Sequence, residues 1–177
     1  MKTGWRLLAA AVLVAAAAPG PSQYLHASQP EAERLLIDKS DRTLKVMFAG
    51  GRVVTLQGLR FGPNWRSGPK RQRGDRKTPE GEYRVLEHRT SREIYPEVTY
   101  LPALYLNYPN EQDVEASAML GVDPGDAIMI HGPHPDVPES VLHAQGDWTD
   151  GCAALSAVQM AYLAQVTGEG TPVTIRP

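Results

Sequence analysis

The sequence predicts a mainly β fold with short helices, an α+β chain forming a single domain. Length is the first ground, since 177 residues suffice for one domain with its own core but not for two. Punctuation is the second: 15 prolines and 16 glycines cut the chain into short elements joined by turns. Periodicity is the third. Leu44, Val46 and Phe48 alternate with Thr43, Lys45 and Met47, the period of a half-buried strand. Hydrophobic content of 42% and charged content of 21% are those of a soluble globular protein. A formal net charge of −2 removes any electrostatic reason to expect nucleic acid as a partner.

The N-terminus stands apart from this fold. Lys2 and Arg6 precede Leu7 to Ala18, a run without a polar side chain. That is the positive region and apolar core of an export signal. The run is shorter than the ~20 residues that cross a bilayer as a helix. Ala16-Ala17-Ala18 suits a signal peptidase, Pro19 directly after it does not, and a cut near Ala27 is the other option. Residues 1–27 are therefore expected to be signal peptide and the start of a linker, 28–33 linker, and 34–177 the folded domain. The domain is expected outside the cytoplasm, in a periplasm or its equivalent. Membrane contact is expected only through an uncleaved signal.

Within the domain, Arg34 to Asp38 reads as a short strand and Lys39-Ser40-Asp41 as a turn. The alternating strand at 43–48 then meets Ala49-Gly50-Gly51, a hairpin turn, and Arg52 to Leu56 returns as its partner. Glu82 to His88 and Ala103 to Asn107 read as further strands, and Glu111 to Leu120 as a helix stopped by Gly121. Asp126 to His131, bounded by Pro124-Gly125 and Gly132-Pro133, reads as a buried strand delivering His131 to a loop edge. Ser156 with Gln159 makes a capping box, followed by Val158, Tyr162 and Val166 at helical spacing and Gly168 as the C′ residue. Pro172 to Ile175 closes the chain as a strand.

Two segments carry candidate chemistry. From Gly58 to Gly81 there is no period, but Arg60, Arg66, Lys70, Arg71, Arg73, Arg76 and Lys77 gather against Asp75 and Glu80. This is either a solvated charged loop or a rim that steers a carboxylate-bearing substrate. The other segment holds Cys152, the sole cysteine, twenty-one residues after His131. An unpaired thiol in an exported protein is either well buried or kept because it reacts. In the reactive reading His131 is the general base or the cation of an ion pair, and the start of the capped helix lowers the thiol pKa. The amides of Gly151 and Cys152 then form an oxyanion hole. Asp147 and Trp148 either cap and pack or orient a histidine. A zinc site of His131, His134 and Cys152 lacks the paired spacing of such sites, and His143 lies in an ordinary polar stretch.

Ile130-His131-Gly132, then seventeen residues, then Thr149-Asp150-Gly151-Cys152, resembles the catalytic signature of the L,D-transpeptidase (YkuD) domain, a histidine followed by Ser/Thr-x-Gly-Cys. Gly74 to Tyr83 is similar to the family's G-x-x-x-T-P-x-G-x-[YF] turn and strand. Asn107-Tyr108-Pro109-Asn110 and Gly121-Val122-Asp123-Pro124-Gly125 resemble the approach to the histidine strand in the branch whose cysteine motif reads D-W-T-D-G-C. The resemblance covers roughly residues 34 to 176.

It implies a mixed β-sandwich acting on peptidoglycan stem peptides, with neither cofactor nor metal. Cys152 is then the nucleophile of a thioester acyl-enzyme and His131 its base. The Gly132 carbonyl orients the imidazole, and the Gly151 amide serves the oxyanion. Resolution by a second stem peptide's amine makes a transpeptidase. Resolution by water makes an L,D-carboxypeptidase, or a hydrolase that releases an envelope lipoprotein from peptidoglycan. A non-catalytic wall-binding domain is the alternative of another class. Many family members carry arginine or asparagine two residues after the cysteine and histidine before the glycine, where this chain has Ala154 and Asp150. Lys70, Arg71, Arg73 and Arg76 are expected to supply the missing carboxylate contacts, with Thr149 and Asp150 completing the substrate-binding set.

Overall fold

A computed structural model of the chain describes residues 31–90, 102–133, 137, 138, 140, 141, 144 and 146–177. The expected export signal, most of the expected linker, His134 and His143 lie outside the described residues. Strand β1, Ala32–Asp38, begins two residues before the expected start. It pairs antiparallel with β2, Thr43–Phe48, which pairs antiparallel with β3, Val53–Gln57, across the expected turn at Gly50 and Gly51. The last strand, β8, Pro172–Arg176, inserts parallel to β1 and antiparallel to β4, Gly81–Thr90. Strand β5, Pro102–Leu106, continues the sheet to β6, Met129–His131, and to the short β7, Ala153–Ala154. The result is one eight-stranded sheet in the order β3-β2-β1-β8-β4-β5-β6-β7.

The expected sandwich is thus a single curled sheet, and β4 makes the curl. Its first half, Gly81 to Arg84, pairs with β8, and its second half, Val85 to Thr90, pairs with β5. The register slips between Val85 and Glu87. An extra residue at such a point bends a strand and raises its twist, which carries it from one layer to the next. Between the layers lie Leu35, Ile37, Leu44, Val46, Val173 and Ile175 from one half and Leu104, Leu106 and Ile130 from the other. Full burial of each such side chain contributes about 1.5–3 kcal/mol.

Helix α1, Glu111–Met119, and helix α2, Ala157–Val166, each start with a complete capping box, Asn110 with Asp113 and Ser156 with Gln159. The buried stripe of α2 is Met160, Leu163 and Val166. Val158, expected on that stripe, is 81% exposed, so the apolar spacing that includes it does not mark the packed face. Gly168 does not act as a left-handed cap either. Thr167 leaves the helix in an extended conformation (φ −117°, ψ 128°) and sends the chain directly toward β8.

The loop from 58 to 80 is anchored from below. The Lys39 side chain is fully buried, and its ammonium is paired with Glu80 and donates to the Trp65 carbonyl. Glu80 sits at the start of β4 within the Thr78-Pro79-Glu80-Gly81 turn, so this pair joins the β1–β2 turn to the end of the basic loop. A buried ion pair is costly to break from one side, because the remaining charge has neither water nor partner. Glu80→Ala is expected to destabilise the protein by about 3–5 kcal/mol, and the double variant Lys39→Met/Glu80→Ala to recover much of that loss. Denaturant unfolding of the three proteins measures both numbers; equal stability of the single and double variants contradicts the assignment.

Candidate active site

Sheet register assembles the site. Directly paired residues share a face, and alternate residues on one strand share it too. Tyr105 pairs with Met129 and Ala103 with His131. His131 pairs with Ala154 across the parallel β6–β7 ladder, so Cys152, two residues before Ala154, falls on the His131 face beside Met129. Strand spacing and rise set the Cα atoms of His131 and Cys152 about 8 Å apart on a diagonal, a separation that two side chains can bridge. The other face carries Leu104, Leu106 and Ile130, all core. The apolar run at 128–130 is thus a strand with one greasy side that delivers a histidine on its half-open side.

The His131 Nδ1 lies 2.7 Å from the Gly132 carbonyl. With that nitrogen protonated, Nε2 keeps its lone pair for the site. The edge of the imidazole meets Trp148, ring centroids 5.5 Å apart. Burial lowers the His131 pKa and the Gly132 carbonyl opposes the shift. Cys152 is 9% exposed, and its Sγ donates to the Ala127 carbonyl at 3.6 Å. Ala127 holds a left-handed backbone (φ 59°), uncommon for a residue with a Cβ. Burial pushes the Cys152 thiol up to about 11; the Met129 amide opposes this, Asp150 adds to it, and Lys70 opposes it. The expected thiolate held by a helix terminus is therefore corrected. The α2 cap is Ser156, β7 lies between it and the thiol, and burial dominates the titration. Burial thus favours the neutral form of both groups.

The cysteine loop is held by its own side chains. Thr149 is buried; its hydroxyl donates to the Cys152 carbonyl at 2.8 Å and accepts from the Gly151 amide at 3.2 Å. Thr149, expected as a substrate contact, spends its one O–H donor inside the loop and braces it. The bond it accepts occupies the Gly151 N–H, which leaves it unavailable to an oxyanion in this arrangement. Gly151 serves the backbone instead. It adopts φ 129°, and a Cβ there would lie 2.5 Å from the Lys77 carbonyl. On the facing segment a Cβ on Gly62 would lie 2.2 Å from the Arg76 carbonyl. Two glycines thus let the cysteine loop and the basic loop touch backbone to backbone.

Asp147 joins the same loops through its side chain. It accepts from both terminal nitrogens of Arg42 at 2.7 Å, from the Phe61 amide at 3.1 Å and from the Trp65 indole at 2.8 Å. Of the two roles open in the sequence, bracing and histidine orientation, the contacts give the first. Burial raises the Asp147 pKa, but Arg42, Phe61 and Trp65 outweigh it and the net shift is down.

The basic loop divides. Lys70 is buried, and its ammonium is bound by Asp75 at 2.9 Å, so it is a structural cation and not part of an exposed rim. Asp75 also accepts from the amides of Arg71, Gln72 and Lys77. Arg71 lies 3.8 Å from Asp113 at the start of α1, and Arg73 pairs with Asp123 and Asp126. Arg76 reaches the cysteine loop, its Nε 3.3 Å from Asp150, whose carboxylate is 91% exposed. Of the expected substrate-binding residues, Arg76 and Asp150 are brought together at the cysteine loop, while Arg71 and Arg73 are tied to acidic partners on α1 and the 121–126 turn. The sequence does not single out Tyr105 and Met129 as neighbours of the site, though both lie on the His131 face; their only signal is alternation along two very short strands. Among the described residues no group of three or more His, Cys, Asp or Glu side chains is placed to hold a metal ion.

Residues 32–175 match the family model described as the YkuD L,D-transpeptidase catalytic domain. Among solved structures, the helical cell shape determining protein Pgp2 from Campylobacter jejuni is similar at 24% identity and TM-score 0.59, over 84% of this chain and 50% of that one. Bd1075 from Bdellovibrio bacteriovorus is similar at 24% identity and TM-score 0.57, over 83% and 48%. The chain spans about half the length of these structures, and at such identity the likeness is one of fold. No protein of curated function matches the chain.

Two outcomes follow from this geometry. Alkylation of Cys152 in the free protein is expected to stay slow through neutral pH and to rise only above the ~8.5 of an ordinary thiol; a rate already at plateau below pH 7 would establish a thiolate–imidazolium pair instead. Asp147 has a lowered folded pKa, so its contribution to stability is complete above the unfolded aspartate value of ~3.9 and is lost as pH falls through the lower folded value. Asp147→Asn is expected to cost about 2–4 kcal/mol at pH 7 and to flatten the loss of Tm in acid. Thermal melts of both proteins across pH 2–7 test this, and parallel Tm profiles would refute it.

Proposed function

The chain belongs to the YkuD family of L,D-transpeptidase catalytic domains, and from that premise we propose that it is an extracytoplasmic peptidoglycan L,D-transpeptidase working through a Cys152 thioester. The observation that carries this reading is the shared face of Cys152 and His131, with Nδ1 of His131 engaged by Gly132. Because burial favours the neutral form of both groups, the proton moves during attack and not before it. Nε2 accepts the Sγ proton as sulfur adds to a stem-peptide carbonyl carbon. The resulting imidazolium returns that proton to the departing amine, the C–N bond breaks, and a thioester remains. A second stem peptide's amine then adds to the thioester carbon, gives its proton to His131, and releases the thiol with the new amide.

The oxyanion formed in each half-reaction falls to the Cys152 amide, since the Gly151 N–H is already committed to Thr149. Thr149 and Gly151 act by fixing the loop that presents Cys152. Arg76 and Asp150, beside the thiol and both solvent-facing, are the loop residues best placed to meet substrate. The similarity to a protein described as a determinant of helical cell shape is compatible with work on the wall. Peptidoglycan stem peptides are the substrates in this reading, and water in place of the second amine gives the hydrolytic variant, including release of a wall-linked lipoprotein.

Intact-mass spectrometry after exposure to a carbapenem is expected to give one adduct per chain, absent from Cys152→Ala and formed roughly 100-fold or more slowly by His131→Ala. Incubation with a disaccharide-tetrapeptide is expected to yield cross-linked dimers. Tripeptide alone would establish the hydrolytic variant. No adduct, with wall binding retained by Cys152→Ala, would leave a non-catalytic binding domain.

A further inference from the structure

Among the described residues, three that are not glycine hold a left-handed backbone: Arg42, Arg76 and Ala127, at φ 54°, 57° and 59°. Such conformations are costly for a residue with a Cβ, persist only where the surroundings enforce them, and gather at functional sites. Each of the three touches the cysteine loop, Arg42 at Asp147, Arg76 at Asp150 and Ala127 at Cys152. The two arginines make that contact through long side chains. Ala127 makes it through its carbonyl, 3.6 Å from Sγ, whose direction is set by the backbone torsions themselves.

Both flanks of Ala127 are fixed. After it, the Ile128 carbonyl accepts from the Leu106 amide at 3.0 Å. Before it, the turn at 123–126 is held at several points. The buried Tyr108 donates its hydroxyl to the Pro124 carbonyl at 2.9 Å. The Arg73 amide donates to the Asp123 carbonyl at 2.7 Å, and the Arg73 guanidinium pairs with the carboxylates of Asp123 and Asp126. The Gly125 amide closes the turn on the Asp123 carboxylate at 2.8 Å. Arg73 also backs this turn, since a Cβ on Gly125 would lie 3.2 Å from the Arg73 Cα. A thiol is a weak donor, and an S–H···O bond is too weak to draw a carbonyl into place or to offset a left-handed alanine. The carbonyl is therefore set by the turn, and the thiol takes it as found.

Resting on the reading of Cys152 and His131 as an acyl-transfer site, we infer that the turn at 123–127 is a seat for the nucleophile, with Arg73 and Tyr108 as the positioning residues that hold the Ala127 carbonyl against Sγ. The seat gives a buried donor its partner. It also fixes the sulfur on the face that Cys152 shares with His131. With its hydrogen on Ala127, the sulfur keeps its lone pairs free for a substrate carbonyl carbon. As the C–S bond forms, the S–H turns about the Cβ–Sγ bond and its proton passes to Nε2, while the sulfur itself stays in place. Arg73, expected among the substrate contacts, then acts through the turn and not on the substrate.

Raman spectroscopy reads the seat directly, because the sole cysteine gives a single S–H stretching band. In the free, unsubstituted protein that band is expected below the frequency of an alkyl thiol in an alkane, as a bonded S–H requires. His131→Ala is expected to leave it in place. Arg73→Gln combined with Tyr108→Phe is expected to move it toward the unbonded frequency. The same pair is expected to slow first-order acylation by saturating carbapenem roughly ten-fold, at a nearly unchanged half-saturating concentration. Arg73→Lys keeps the charge without the planar fork and is expected to retain part of both readouts. Thermal melts are recorded alongside, since a merely structural role lowers Tm without moving the band. Should the combined variant fail to fold, Arg73→Gln alone, a change to a side chain that is 58% exposed, is read with the same expected direction. An unbonded band in the unsubstituted protein, a band that moves on His131→Ala, a band unmoved by the substitutions, or one that moves while the acylation rate holds would each overturn the inference. Failure of the unsubstituted protein to acylate removes the acyl-transfer reading instead, and the band still reports the seat by itself.

Discussion

The bidentate contact between Arg42 and Asp147 ties together three segments that the chain itself keeps far apart. Arg42 belongs to the turn before β2, Phe61 and Trp65 to the long loop, and Asp147 to the start of the cysteine motif. Beside this knot the loop carrying Cys152 is attached through the two residues of β7, the bridge from Arg60 to Ala154, the Thr149 amide on the Phe61 carbonyl and the exposed Arg76–Asp150 pair. A two-residue parallel ladder is weak by itself. The carboxylate that holds it is half-screened from water, meets a planar fork of donors and takes two further N–H groups, the setting in which a charge-assisted bond is strong. Lys39 with Glu80 and Lys70 with Asp75 repeat the device beneath the same loop. Within the cationic segment Lys70 is thus scaffold, its charge spent inward, while Arg73 and Arg76 pair at the surface.

This use of charge shapes the chemistry as well. The thiol is buried beside a seam where Gly62 and Gly151 bring two loops together backbone to backbone, and burial favours its protonated form. Asp150, an exposed carboxylate one residue before Gly151, biases the thiol further toward its neutral form.

Much of this was legible in the sequence because it rests on local rules. Alternation at 43–48, the Ser156–Gln159 box and the Gly-bounded run ending at His131 each report their own element. Cys152 and His131 were legible as a pair through the spacing of one motif. What stayed hidden depends on contacts between distant segments. Lys70 and Arg76 are cations in the same loop, yet one is buried on Asp75 and the other pairs with the exposed Asp150. No local pattern separates them. The double duty of β4 was equally silent, because a bulge between Val85 and Glu87 looks in sequence like uninterrupted strand.

The departures from the family's motif take on meaning when set on the sheet. Ala154, where many members have arginine or asparagine, is 2% exposed and its backbone is bridged on both sides, to His131 through β6 and to Arg60 through paired hydrogen bonds of 3.0 and 2.8 Å. A long cationic side chain has no room to leave that position. The charge that does reach the cysteine loop comes from the basic loop instead: Arg76 Nε lies 3.3 Å from Asp150, the other departure. The two positions thus depart from the motif in one direction, away from a cation carried by the cysteine loop itself and toward one supplied by a separate segment.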